Sequence, residues 1–214
     1  MAQFRMNGSK MLAVDLAGET VRALNGSMVA YEGQMNFKRQ GMTGGDGGLM
    51  GAVRRRVAGE NVTLMEVTGQ GTVYLASEAT EITLVHLQGD TLLVESSNLL
   101  ALDGQLRTGV QFSGLRGMST GQGLATTKVE GHGTVAIVSD GPAIALEVTQ
   151  GQPLCVDPQA FVASRGQLQQ DFVTDANWRT MLGQGSGETF QLRFNGHGLV
   201  YIQPAERSGG LAEV

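Results

Sequence analysis

Two histidines and a glutamine stand at one repeated place in this chain. Gln70, His132 and His197 each sit between the paired glycines of a G-x-G-x-V run: Gly69-Gln70-Gly71-Thr72-Val73, Gly131-His132-Gly133-Thr134-Val135 and Gly196-His197-Gly198-Leu199-Val200. Two imidazoles and an amide that converge on one point are able to hold an ion or a small polar ligand. Glutamine is a poor metal ligand, however, and no carboxylate is fixed nearby by spacing. A polar residue between two glycines equally faces solvent or caps a turn. Gln70, His132 and His197 are therefore candidates for a ligand site, with no metal and no cofactor assigned.

Other residues with chemical potential read more simply. Glu60 and Glu188 occupy matching places with Gln122 between them. Paired carboxylates do acid–base work, but at the starts of repeated strands they suit turn hydrogen bonds or subunit contacts. Cys155 is the single cysteine. It excludes a disulfide framework within the chain, and no base is placed by spacing to activate it, so it reads as structural. The glycine-rich Gly44–Gly48 loop lacks the Gly-Lys-Ser/Thr of a phosphate-binding loop, and the G-x-G runs are followed by strand residues rather than by a helix. No catalytic residue is assigned.

A repeat must position these groups. Residues 59–106 lie over 121–168 at a constant offset of 62, with 17 of the 48 positions identical. His86 falls on Val148 in that alignment, and Cys155 falls on Leu93 and Arg22. The second half of the unit recurs at the start of the chain, where Gly18, Ala30 and Gly33-Gln34-Met35 match Gly89, Ala101 and Gly104-Gln105-Leu106. The first half recurs at the end, as Gly187-Glu188 and the third G-x-G-x-V. The chain thus reads as three related units with the outer ones circularly cut, at about residues 11–78, 79–140 and 141–204. We expect one all-β domain over 1–204, closed into a β-helix or barrel with pseudo-three-fold symmetry, and a tail at 205–214. Paired glycines leave one side of a strand bare, which admits close approach of another backbone or a positive φ. Alternation predicts strands at 11–16 and 20–24 around a turn at Gly18, at 27–31 and at 34–38. The same hairpin is expected at 81–87 with 91–95, and at 143–149 with 154–156.

Helical periodicity is confined to two short stretches. Leu49, Met50, Val53 and Val57 make an apolar stripe over 49–57, with Arg54, Arg55 and Arg56 on the remaining face; 175–182 is the second. The first is a candidate partner contact through Leu49, Met50, Val53, Arg54, Arg55 and Arg56, or a lid over one end of the barrel. Three arginines give only weak attraction to an acidic membrane surface, about 1 kcal/mol each.

Net charge is −5, with basic residues otherwise scattered, which argues against nucleic acid as a partner. No apolar run reaches membrane-spanning length, and residues 1–10 lack an apolar signal core. These features suggest a cytoplasmic protein. Glycine, at 32 residues, suits short strands and tight turns.

Several motifs agree with one known family in order and spacing. Gly47-Gly48-Leu49, Arg55-Arg56, Gly59-Glu60 and Gly69-x-Gly71-x-Val73 resemble the altered-inheritance-of-mitochondria family, as do Gly187-Glu188 and Gly196-x-Gly198-x-Val200-x-Ile202-Gln203. The resemblance spans roughly residues 10–204. It implies a bacterial member with a β-rich fold similar to the tryptophan RNA-binding attenuation protein, related to double-stranded β-helices. The family's yeast member is linked to mitochondrial organisation; its bacterial members have no settled biochemical role, and no catalytic residues come with the resemblance. The expected function is that of a non-catalytic binding or scaffold protein, assembled as a homo-oligomer. Its rival is a small-ligand or metal-binding module built on the pseudo-three-fold axis.

Overall fold

The computed structural model describes residues 1–39, 63–113, 124–174 and 190–204. Their strands are β1 (Gln3–Met6), β2 (Leu12–Leu24), β3 (Met28–Arg39), β4 (Leu64–Leu75), β5 (Glu81–Glu95), β6 (Leu99–Asp103), β7 (Arg107–Ser113), β8 (Leu124–Ser139), β9 (Ile144–Val148), β10 (Leu154–Val156), β11 (Phe161–Thr174) and β12 (Phe190–Ile202). All belong to one antiparallel sheet whose main path runs β10-β12-β11-β5-β8-β6-β2-β4-β3. Among the described residues the one helical turn is Ser96–Asn98, capped where the Glu95 carboxylate accepts the Ser97 N–H at 2.8 Å. No helix among them is long and apolar enough to cross a membrane. The two predicted helices, at 49–57 and 175–182, lie outside the described residues, as does the tail.

Glycine chemistry shapes the strands. The sequence suggested hairpins turning at Gly18 and Gly89, but β2 and β5 each run straight through as one long strand. Each carries a bulge, between Ala17 and Thr20 and between Gln88 and Thr91. Gly18 and Gly89 take φ of +106° and +96°, a region closed to most side chains. The following acid then satisfies the bulged backbone: Glu19 accepts the Ala17 N–H at 2.6 Å, and Asp90 accepts the Gln88 N–H at 2.8 Å. A bulge bends a strand without ending it. β3 is likewise continuous where two short strands were expected. Only β9 and β10 separate, at a turn closed by the Thr149–Gln152 bridge.

The ladder registers recur along the chain. Each strand bearing G-x-G-x-V lies between two others, in the orders β2-β4-β3, β5-β8-β6 and β9-β12-β11. Met28 faces Leu75 and Ala30 faces Tyr74; Leu99 faces Ile137 and Ala101 faces Ala136; Phe161 faces Ile202 and Ala163 faces Tyr201. All three ladders skip one residue at the same place. The gapless offset of 62 fails in one strand. Val148 faces Gly198 as Leu87 faces Gly133 and Leu16 faces Gly71, so Val148 corresponds to Leu87 and not to His86. Side chains alternate with a period of two, so a one-residue slip reverses the inward face. Burial decides the register, since Leu16, Leu87 and Val148 are all buried.

The cores follow the chain in order. One cluster joins Leu12, Val14, Val73 and Leu75 to Leu100 and Ala136; a second joins Val85, Leu92, Leu102 and Val135 to Val162 and Ala163; a third gathers Val148, Phe161, Leu192 and Phe194, with the two rings stacked at 5.5 Å. The expected closure is not made. The path of strands is open, ending at β3 and β10, and no described ladder carries β3 back to β10.

Candidate functional site

The three candidate ligand residues are on corresponding strands, and all are exposed. Gln70 lies on β4 facing Gln34, His132 on β8 facing Gln88, and His197 on β12 facing Gln167. β4, β8 and β12 are not neighbours in the sheet: β6 and β2 separate the first pair, β11 and β5 the second. Two strands of the path thus lie between each successive pair of these side chains. Among the described residues no group of three or more histidines, cysteines, aspartates or glutamates could hold a metal. The His132 ring covers the Gly89 bulge, its Cε1 standing 2.9 Å from where a Cβ on Gly89 would be. Its carbonyl accepts the Gln105 amide at 2.8 Å.

The glycines on either side serve the ladder itself. Gly71 faces Gly33, and Gly198 faces Gly166. A Cβ on Gly71 would collide with the Glu32 carbonyl. The close neighbour is thus the adjacent strand's backbone and not a second layer. In the middle group the chain turns away at Asp103-Gly104-Gln105-Leu106, and the Asp103 carboxylate fills the gap, accepting the Thr134 N–H at 2.8 Å.

Asp103 is the group the sequence did not single out. It is buried, and burial raises its carboxyl pKa, offset in part by the Thr134 N–H. His86, on the exposed face, holds the Thr134 hydroxyl at 3.0 Å through Nδ1. The cluster fastens a turn: the Gly104 N–H donates to the Thr20 carbonyl at 2.9 Å. Buried Arg22 reinforces the same turn, donating to the Leu106 carbonyl and, at 2.9 Å, to the Thr108 hydroxyl. Desolvation lowers the Arg22 pKa, and the Glu66 charge offsets this. Between β5 and β11, Asp90 pairs with Arg165. Burial opposes ionisation of Asp90, but the Gln88 N–H and the Arg165 guanidinium hold its pKa below the ordinary value.

Among the described residues, both end strands of the main path have an edge without a partner. β3 uses one edge on β4, and β10 uses one edge on β12; no described strand pairs with their other edges. Met28 is 37% exposed, Val29 58%, Tyr31 51% and Ile144, on β9, 45%. Cys155, expected to be structural, is exposed on β10. Leu49, Met50, Val53, Arg54, Arg55 and Arg56, and the acidic pair Glu60 and Glu188, lie outside the described residues.

These features define an all-β protein with an antiparallel sheet of recurring register whose main path, among the described residues, ends at β3 and β10. Residues 4–205 match the family described as Mitochondrial biogenesis AIM24. The chain belongs to that family. It is similar to the crystal structure of a Streptococcus pyogenes protein, with a TM-score of 0.73 and 25% identity over 96% of this chain and 94% of that one. No curated protein matches it.

Proposed function

We propose that this protein is a non-catalytic scaffold, built from three copies of one strand unit laid end to end, which binds other protein chains through its open sheet edges. The recurring registers support the three-copy reading. The observation that carries the functional one is the outer edge of β3, where Met28, Val29 and Tyr31 are exposed and no described strand pairs. An edge strand is a template for another chain's strand, and exposed apolar side chains beside it supply the burial that makes such pairing stable. The glycines and the Asp103 and Arg22 clusters serve the ladder and its turns, which supports a structural reading of the polar groups. Affinity capture from the native host tests this, with the wild type compared against a Val29→Lys/Tyr31→Lys variant. Loss of wild-type partners on the variant is expected; identical captured sets would remove the reading.

A further inference from the structure

The same joint occurs twice in this chain, and its two halves are left unused at the ends. In the first joint β6 docks on β2, with Ala101 facing Ala23, Leu102 facing Arg22 and Asp103 facing Val21. In the second, β11 docks on β5, with Ala163 facing Val94, Ser164 facing Leu93 and Arg165 facing Leu92. These are equivalent positions: 62 residues separate Ala101 from Ala163, and 71 separate Ala23 from Val94. The β8 and β12 ladders carry the same relation, since Leu92 faces Val129 and Leu154 faces Phe194. Applying the relation once more gives a third joint, with Ala30, Tyr31 and Glu32 on β3 and Val156, Cys155 and Leu154 on β10. Both strands are present, and neither makes this ladder.

Burial marks the same vacancy. Leu99, Leu100 and Leu102 are fully buried at the first joint, and Phe161 and Val162 at the second. Their counterparts on β3 are Met28, Val29 and Tyr31, the exposed residues of the free edge. We propose that the occupant is a second copy of this chain, its β10 pairing antiparallel to β3 with Ala30 facing Val156, Tyr31 facing Cys155 and Glu32 facing Leu154. This rests on the scaffold reading and names the first partner of that edge. The chain's own β10 is not the occupant, because the two strands end an open path and no core cluster joins their groups. A second copy brings the complementary strand, in the register that already forms twice within the molecule. Charge agrees: Glu32 comes toward Gln152, the counterpart of Asp90 and Glu19, so no second carboxylate opposes it. The contact is heterologous, head to tail, and closes into a ring where its rotation permits.

The register places one native cysteine opposite one tyrosine, which makes it measurable. Residues facing each other across an antiparallel ladder lie within disulfide reach. Tyr31→Cys/Cys155→Ser protein is mixed with wild type, which carries Cys155 alone, and oxidised mildly. The expected product is a covalent dimer linking residues 31 and 155, shown by peptide mapping. Val29→Cys/Cys155→Ser in place of the first variant should give several-fold less product. Circular dichroism confirms that each variant folds. Amide exchange on wild type is a second readout: residues 29–32 should be protected in concentrated protein and lose that protection on dilution. Absence of the 31–155 link together with concentration-independent exchange would overturn the proposal. So would equal yields from the two variants, or an intramolecular 31–155 link in the Tyr31→Cys single variant. If the link is absent but Val29→Lys/Tyr31→Lys still loses captured proteins, the second-copy inference falls and the scaffold reading stands.

Discussion

At the scale of single residues, backbone conformation and burial set the outcomes. Gly71 has φ of +144° and its missing Cβ makes room for the Glu32 carbonyl, whereas a Cβ on Gly131, at φ +124°, would meet nothing nearer than the Leu106 Cδ2 at 3.4 Å. Gly71→Ala should therefore cost about 1–3 kcal/mol by strain and overpacking, and Gly131→Ala less. Thermal or denaturant unfolding of the pair checks this, and equal losses would mean that φ alone matters. Asp103 gives a pH prediction. Its folded pKa is raised by burial, so the native state holds the proton more tightly than the unfolded chain does. That contribution is fully present below the ordinary carboxyl pKa of about 4 and is lost as pH rises through the raised value. Asp103→Asn does not titrate, so its melting temperature should gain on wild type between about pH 3 and pH 7. Glu19 has the opposite sign. The Ala17 N–H, its own backbone and the N-terminus lower its pKa to about 2, so its contribution is present above the ordinary value and fades as pH falls toward 2.

At the scale of elements, the one-residue slip in β9 is the sharpest test. The register puts Val148 in the third core and Glu147 on the exposed face. Val148→Ala should cost about 2 kcal/mol, the equivalent of two buried methylenes, while Glu147→Ala should be near neutral. Unfolding curves that rank the two in the reverse order would restore the gapless alignment. Much of the element pattern was legible, because strand alternation and the G-x-G-x-V runs report which faces are buried and where backbones meet. What was not legible had local causes. Glycine at 18 and 89 reads equally as a turn or a bulge, and the Glu19 and Asp90 side chains that decide for the bulge bond to backbone two residues away. Cys155 read as structural because no base is placed near it by spacing; its exposure was not legible because its counterparts, Arg22 and the half-buried Leu93, pair with β6 and β11 whereas β10 has no such described partner. His132 and His197 share a place on β8 and β12, both exposed.

At the scale of the whole molecule, three-fold repetition suggested a closed ring of units, and the sheet is instead open, with a half-joint at each end. Sequence repetition specifies the contact between successive units; the angle between them, which decides closure, depends on side-chain packing across each joint. The chain's all-β class and its family were readable, while its exposed ends became visible only with Met28, Val29 and Tyr31 in place. The most direct test of the account is the mass of the protein in solution at micromolar concentration, measured by sedimentation equilibrium for wild type and for Tyr31→Lys. The account predicts a wild-type mass above that of one 22.5 kDa chain, reduced toward it by Tyr31→Lys with the far-ultraviolet spectrum unchanged. A monomeric wild type indistinguishable from the variant would contradict it.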